Sequence, residues 1–363
     1  MPSYKNESKT KNKWYCSFYY TNIQGVRTRK KKEGFATKRE ADEWERNFLA
    51  SVDYSPEIPL NALYEHYIED LSHRLKEMTM YSKKFMFEKH ILPYFKDMPI
   101  KDITPIKIRN WQNQIMKLIN EKTGKPYSES YLKDINVQLS AIMNYAVRFY
   151  NLKENPIHKS GSMGKSGSDE MKIWSLEEFN LFNSHYEDRP LIHVGFNILY
   201  WTGMRLGELL ALTWNDIDFN NQKINIDKSF QRLRGKDIIT SPKTEKSIRK
   251  ILVNKSVIDE LQELKNKTYK PKGTDRIIPH TKSAFSKAMK KGVELSGLEK
   301  IRVHDLRHSH ASLLIHHGVN IVVISKRLGH EEIETTLNTY SHLYPNQEDN
   351  LLNLMEKIEK STN

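Results

Sequence analysis

Cysteine is almost absent: Cys16 is the one thiol among 363 residues. A single thiol closes no internal disulfide and builds no cysteine-based zinc site. It could serve as a nucleophile, but it stands in an aromatic, strand-like run, WYCSFYY, where a half-buried packing role is the default. Long apolar runs are missing too. None approaches the ~18 to 20 residues that a membrane span requires. The opening MPSYKNESKTKNKW has no apolar stretch of the signal-peptide kind. Both absences point to the cytoplasm. Acid is under-represented: 45 Asp and Glu stand against 58 Lys and Arg, a net charge of +13. An excess of that size favours a polyanionic partner, although charge alone does not separate nucleic-acid binding from ordinary basic solubility. Internal repeats are absent. With 28% charged and 38% hydrophobic residues, the chain reads as globular. It is long enough for two or three domains and at least one large core.

Residues 1–54 form a first unit. The alternating, aromatic stretch Trp14 to Tyr20 predicts a strand, residues 22–25 a turn, and a second strand carries Arg27, Arg29, Lys30, Lys31 and Lys32. Thr37 is placed as an N-cap, with Glu40 three residues later, opening a helix from Lys38 to about Ser51. Bases cluster on the strands while Glu40, Asp42, Glu43 and Glu45 sit on the helix. That asymmetry favours a sheet face presented to phosphates over a lysine-protected edge strand.

A second unit over 58–157 predicts helices throughout. Leu60, Leu63, Tyr64, Tyr67, Ile68 and Leu71 keep the helical period. A second helix spans Thr79 to Ile91 and is expected to stop before Pro93; a third begins at Thr104-Pro105; a fourth runs from Ser128 to Tyr150 after a polar turn. Lys83 and Lys84, with Lys89 and Lys133, are candidates for a DNA-facing surface, although each could be an ordinary solvated position. The Gly/Ser-rich stretch over 158–170 reads as a flexible linker that reaches ~35 Å when extended. It would let two domains grip opposite sides of a duplex. Residues 171–363 follow, mostly helical, with an antiparallel strand pattern between Lys223 and Val253.

Breaking a phosphodiester needs a nucleophile, cations for the non-bridging oxygens and a proton donor for the departing oxygen. The last unit offers all three, without a metal motif. In TGMRLGELLALTW, residues 202–214, Arg205 opens a helix whose leucines anchor it, and Glu208 can orient it from behind. Alone, this would be a surface Arg–Glu pair. In VHDLRHSHASLLIHHG, residues 303–318, His304 and Arg307 share one helix face. His304 and His308 also have zinc-ligand spacing, but the intervening glutamate of a zinc protease motif is missing. In RLGHEEIETTLNTYSHL, residues 327–343, Gly329 ends one helix, His330 follows outside it and Tyr340 lies on the next. A tyrosine there is by default a packed aromatic. As a nucleophile, its phenol would need neighbouring cations to lower the cost of ionisation. Lys243, in SPKTEKSIRKI, sits in a turn from which it could reach a leaving oxygen, or simply be solvated.

An Arg in TGxRxGE, a Lys in PKTxxSxR, an HxxR, an LGH and a Tyr shortly after it stand here in one order. Each motif is weak; five in sequence are specific. Together they resemble the tyrosine recombinases, and within these the lambda-like integrases of bacteriophages and conjugative transposons. The resemblance implies a multidomain, mainly α protein. Its parts would be an arm-type DNA-binding domain of three strands and a helix, a helical SAM-like core-binding domain, and a mixed α+β catalytic domain. It implies that Tyr340 attacks the scissile phosphate and is left joined to the 3′ phosphate. Arg205 and Arg307 would hold the non-bridging oxygens, His304 assist proton transfer at the nucleophile, His330 bond the phosphate, Lys243 protonate the 5′ oxygen, and Glu208 support from behind.

No cofactor or metal is expected. The expected partners are double-stranded DNA at core and arm attachment sites, further copies in a tetramer on DNA, and accessory bending or excision factors near a bacterial nucleoid. The tail after Tyr340, QEDNLLNLMEKIEK, is helix-like; in the family such tails often pack on a neighbouring protomer, and packing in cis or in trans stays open here. Two other readings stay open: a type IB topoisomerase-like strand relaxer, and a catalytically silent architectural DNA-binding protein.

Overall fold

A computed structural model describes residues 3–7, 11–21, 27–52, 54–165, 171–242 and 247–340, with Met355 and Glu359. The carboxyl tail, apart from those two residues, and Lys243 lie outside the described residues. The chain divides into two compact units, Met1–Ser168 and Asp169–Asn363.

The first unit opens with an antiparallel sheet of β1 (Ser3–Lys5), β2 (Trp14–Thr21) and β3 (Arg27–Phe35). Alternation along β2 sends Cys16 and Phe18 onto helix α1 (Lys38–Val52), where Trp44, Phe48 and Ala41 complete a small core. Thr37 caps α1 by accepting from the Glu40 amide, and the Glu40 carboxylate returns to the Ala36 amide. Cys16 is fully buried, beyond the half-buried expectation, and burial raises its thiol pKa.

Among the described residues, eight helical pieces follow: α2 (Leu60–Ser72), α3 (Glu77–Met86), α4 (Leu92–Phe95), α5 (Pro105–Met116), α6 (Glu129–Phe149), α7 (Ile157–Ser160), a π-helical turn, Phe87–Ile91, that joins α3 to α4, and a 3-10 turn, Ile100–Asp102. A short hairpin, β4 (Ile119–Asn120) and β5 (Lys125–Pro126), stands between α5 and α6. The π turn corrects the expectation that Pro93 ends a helix. Widening the turn just before Pro93 lets the chain continue in helical conformation to Phe95, although proline brings no amide hydrogen. α6 is the spine: Leu132, Ile135, Leu139, Ile142, Met143 and Ala146 form one buried stripe, and Ser128 caps its start. A second difference concerns the expected linker. Its first half folds onto this unit, with α7 inside it and Met163 only 1% exposed. The remainder, 166–170, is outside the described residues.

In the second unit, α8 (Leu176–Ser184) begins with a complete capping box, Ser175 and Glu178 exchanging bonds. α9 (Pro190–Thr202) is buried nearly all round, from Ile192 to Tyr200, as a central helix must be. It is followed by α10 (Leu206–Leu209) and two small sheets. One orders β10 (Arg249–Leu252), β7 (Lys223–Ile226) and β6 (Ile217–Asp218); the other is the hairpin β8 (Ser229–Leu233) and β9 (Lys236–Thr240). Then come α11 (Lys255–Lys267), α12 (Lys282–Ser296), α13 (Asp305–His316), α14 (Ile321–Leu328) and α15 (Ile333–Tyr340). Phe179, Phe182, Phe196 and Phe285 pack with Tyr186 and Tyr200 at the centre. A separate cluster of Ala311, Ile315, Ile324, Leu328 and Tyr340 joins α13, α14 and α15. Among the described residues, no helix is long and apolar enough to cross a membrane.

Because Ile142 is fully buried in the middle of the α6 stripe, Ile142→Ala should lower the unfolding free energy by about 2–5 kcal/mol. Urea denaturation of the full chain measures it; a loss below about 1 kcal/mol would mean that α6 is not the spine of its unit.

Candidate active site

Two glycines in the left-handed region shape the site. Gly203 ends α9 with φ of 64°, and an added Cβ would lie 2.6 Å from the His310 ring, so only glycine turns the chain there. Its carbonyl, freed by the turn, accepts from Arg307 Nη1 at 2.8 Å. Two residues on, Arg205 precedes α10; its amide and its guanidinium both donate to Glu208, at 3.0 Å each. Gly329 ends α14 in the same way, with φ of 68°, and seats against the Arg249 guanidinium; His330 follows at once.

Glu208 is buried and serves two cations. One carboxylate oxygen takes Arg205; the other takes Arg249 Nη2 at 2.8 Å. Burial would raise its pKa, but the Arg249 and Arg205 charges outweigh it, and the net shift is downward. Arg249 in turn donates to the carbonyls of Ser247 and Arg327. One buried guanidinium thus bonds the α10 glutamate and the end of α14 from a position on β10. Arg249 ends the PKTxxSxR motif but is given no role there; the alternation of SIRKIL turns that arginine inward.

Arg307, on the first turn of α13, is 2% exposed. Burial, together with the nearby Arg205 and Arg249 charges, lowers its pKa to about 9, so it stays cationic at neutral pH. Its Nη2 is buried without a hydrogen-bond partner, a guanidinium edge with bonding capacity to spare. Three histidines surround it. His304, at the solvent-facing start of α13, and His330 both have pKa values lowered to about 4. Burial comes first in each case, followed by the charge of neighbours that include Arg307 and Arg205. His330 Nδ1 lies 2.6 Å from Thr336 Oγ1, which fixes its ring. His308 meets the His304 ring edge-on, and its Nδ1 is 2.7 Å from Tyr340 Oη.

Tyr340 is 1% exposed, at the end of α15. Its pKa is pushed up to about 12: burial dominates and the Arg307 charge only partly offsets it. Of the cations expected to lower the cost of ionisation, Arg307 does so, but burial outweighs it. Its hydroxyl is hydrogen-bonded to His308, a residue weighed in the sequence only as a metal ligand. Among the described residues, no group of three His, Cys, Asp or Glu side chains could hold a metal ion. Arg205, Arg307, His304, His330, Tyr340 and Glu208 are thus brought together; Lys243 lies outside the described residues.

The candidate DNA-binding bases of the first unit are divided by strand alternation. Arg27 stacks over Tyr19, Lys31 over Tyr15, and Arg29 donates to Ser17, all on the sheet face away from α1. Lys30 and Lys32 point to the opposite face, over Phe48 and Trp44 of α1. Lys84 is exposed, but Lys83 is half-buried, donating to Tyr67 and Gln138, and burial lowers its pKa.

Comparison with known proteins meets this geometry in all three parts of the sequence. The phage integrase family matches residues 178–347, the N-terminal SAM-like domain of phage integrases residues 60–116, and an arm DNA-binding domain residues 2–52. The ICEBs1 integrase of Bacillus subtilis is 32% identical over 94% of this chain and 96% of its own length. A XerC-like tyrosine recombinase of Caldanaerobacter subterraneus is 27% identical over 90% of each chain. Among solved structures, the integrase of transposon Tn1549 bound to transposon right-end DNA superposes with a TM-score of 0.65 at 22% identity, over 83% of this chain and all of that one. A lambda integrase dimer on a core site gives 0.59 at 17% identity over 95% of each.

His310, buried beside α14, accepts from Arg327 Nε, and its pKa is lowered to about 3 by burial and then by the Arg327 charge. Below pH ~6.5 the unfolded chain takes up this proton while the folded chain does not, so stability falls as pH drops through that range. His310 alone should remove about 2 kcal/mol by pH 5. Denaturation at pH 7 and pH 5 checks it; equal stabilities would contradict a neutral, buried His310.

Proposed function

This chain belongs to the phage integrase family and is a tyrosine-type site-specific DNA recombinase, an integrase; from that premise we propose how its own residues carry the reaction. Tyr340 Oη attacks the scissile phosphorus and displaces the 5′ oxygen, leaving a 3′-phosphotyrosyl link and a free 5′ hydroxyl. Rejoining reverses the step with a different 5′ hydroxyl. The covalent link retains the energy of the broken bond, so no ATP is needed. Arg205 and Arg307 hold the non-bridging oxygens, His330 bonds the same phosphate, and His304 lines its solvent side. Lys243 protonates the leaving 5′ oxygen. Glu208 holds Arg205 in aim.

The observation that carries this reading is Arg307. A cation so deeply buried, with Nη2 unbonded and Arg205 and two neutral histidines around it, is matched to an anion with several oxygens. A phosphodiester entering there would supply the missing acceptor and relieve the mutual repulsion of the cations. Tyr340 is nearly inaccessible in the described state, so attack requires α15 to expose the phenol as the phosphate arrives.

The first unit supplies affinity in this proposal. Residues 1–54 engage arm-type sites through Arg27, Arg29 and Lys31, with Lys30 and Lys32 at the flank of α1. Residues 58–157 engage the core site, Lys84 among its contacts. Paired strand exchange implies a tetramer on DNA, and accessory bending or excision factors would set direction.

Three outcomes test this. Tyr340→Phe should abolish recombination between paired sites on a plasmid while binding DNA at wild-type affinity; surviving cleavage would remove Tyr340 as nucleophile. Arg307→Gln should slow cleavage by about 10²–10³-fold, the size expected for losing one oxyanion donor in a closed site. Affinity for site DNA should fall by about 10³-fold or more between 50 and 200 mM salt, through counterion release; a flat response would contradict phosphate contacts by the basic face.

A further inference from the structure

We propose that His308 is the catalytic residue that accepts the phenolic proton of Tyr340 during strand cleavage. The inference rests on the reading of Tyr340 as nucleophile and changes which histidine serves it: His308, not the His304 of the HxxR motif.

Geometry separates the three candidates. His308 Nδ1 is 2.7 Å from Tyr340 Oη, within proton-transfer distance, with the ring centroids 5.6 Å apart. His330 spends its Nδ1 on Thr336 Oγ1. His304 sits at the solvent-facing start of α13 and contacts the edge of the His308 ring, 5.3 Å between centroids. The i, i+4 spacing stacks His304 and His308 along one face of α13, His308 one turn deeper and nearer to α15. In the described state Tyr340 packs among Ala311, Ile315, Ile324 and Leu328, and its hydroxyl already meets a base, His308 Nδ1.

Charge fits the same role. Burial lowers the His308 pKa, and the Arg307 and Arg302 cations add to this against the opposing pull of Asp305, so the ring is neutral at pH 7. The phenol, its own pKa raised, holds its proton until a base removes it. In cleavage, the O–H bond of Tyr340 breaks toward His308 Nδ1 as Oη bonds to phosphorus and the P–O5′ bond breaks. The 5′ oxygen takes its proton from a separate donor. On rejoining, the His308 imidazolium returns the proton to Oη.

The test uses the full chain with nicked suicide duplexes cut from the joined ends of its own mobile element, and reads the covalent adduct. One duplex has an ordinary scissile phosphate; the other has sulfur in place of the bridging 5′ oxygen, so that the leaving thiolate needs no proton. His308→Asn and His308→Gln should form adduct about 10²-fold or more slowly on both duplexes, with DNA affinity within about threefold of wild type. Lys243→Ala, by contrast, should recover on the sulfur duplex.

Three results would overturn the assignment. The first is adduct formation by either His308 variant at near wild-type rate. The second is rescue of the His308 variants by the sulfur duplex, which would move His308 to the leaving group. The third is loss of DNA binding by both variants, which would make His308 a packing residue. Failure of the underlying reading looks different: the wild-type chain would then form no adduct at Tyr340.

Discussion

The buried carboxylate of Glu208 is the joint on which the site depends. A lone buried anion would be costly, and so would the cluster of guanidinium groups beside it. Set between Arg205 and Arg249, Glu208 neutralises part of that cluster and fixes its geometry. Arg249 extends the joint to the Arg327 carbonyl, beside Gly329 and His330. Three sequence motifs are thereby held by one chain of charge-assisted bonds. Arg307 is not part of that chain. It is anchored by the Gly203 carbonyl and left with one edge unspent, so the net charge of the pocket stays positive.

That arrangement accounts for the chemistry in physical terms. Phosphoryl transfer spreads negative charge over the non-bridging oxygens, and preorganised cations in a water-poor site stabilise it without reorganising. The same water-poor setting raises the phenol pKa and lowers those of His308 and His330. The result is a protonated nucleophile beside neutral bases. Such a site is inert without a phosphate, because nothing pulls the proton from Tyr340. Entry of an anion changes the balance for every group at once.

Much of this was legible in the sequence. The Thr-Gly turn before Arg205, the shared face of His304 and Arg307, and the glycine stop before His330 are local features. Local rules carried them into the structure. What could not be read were contacts across long separations. Arg249 meets Glu208 from 41 residues away, and its role needs the register of β10 against β7. The bond from His308 to Tyr340 spans 32 residues and depends on how α15 packs onto α13. Pro93 misled for a different reason, since a π turn removes the constraint that proline imposes on an α-helix. The run of bases in β3 reads as one patch along the chain, yet strand alternation divides it between two faces.

The central claim is that the oxygen of Tyr340, set among Arg205, Arg307 and the histidines, is the atom that displaces an alcohol from phosphorus. The most direct measurement is to trap the protein on a nicked suicide duplex, digest the adduct and map the modified residue by mass spectrometry. The account predicts a 3′-phosphate linked to Tyr340 and to no other side chain. An adduct on any other residue, or recombination that proceeds with no covalent adduct at all, would contradict it.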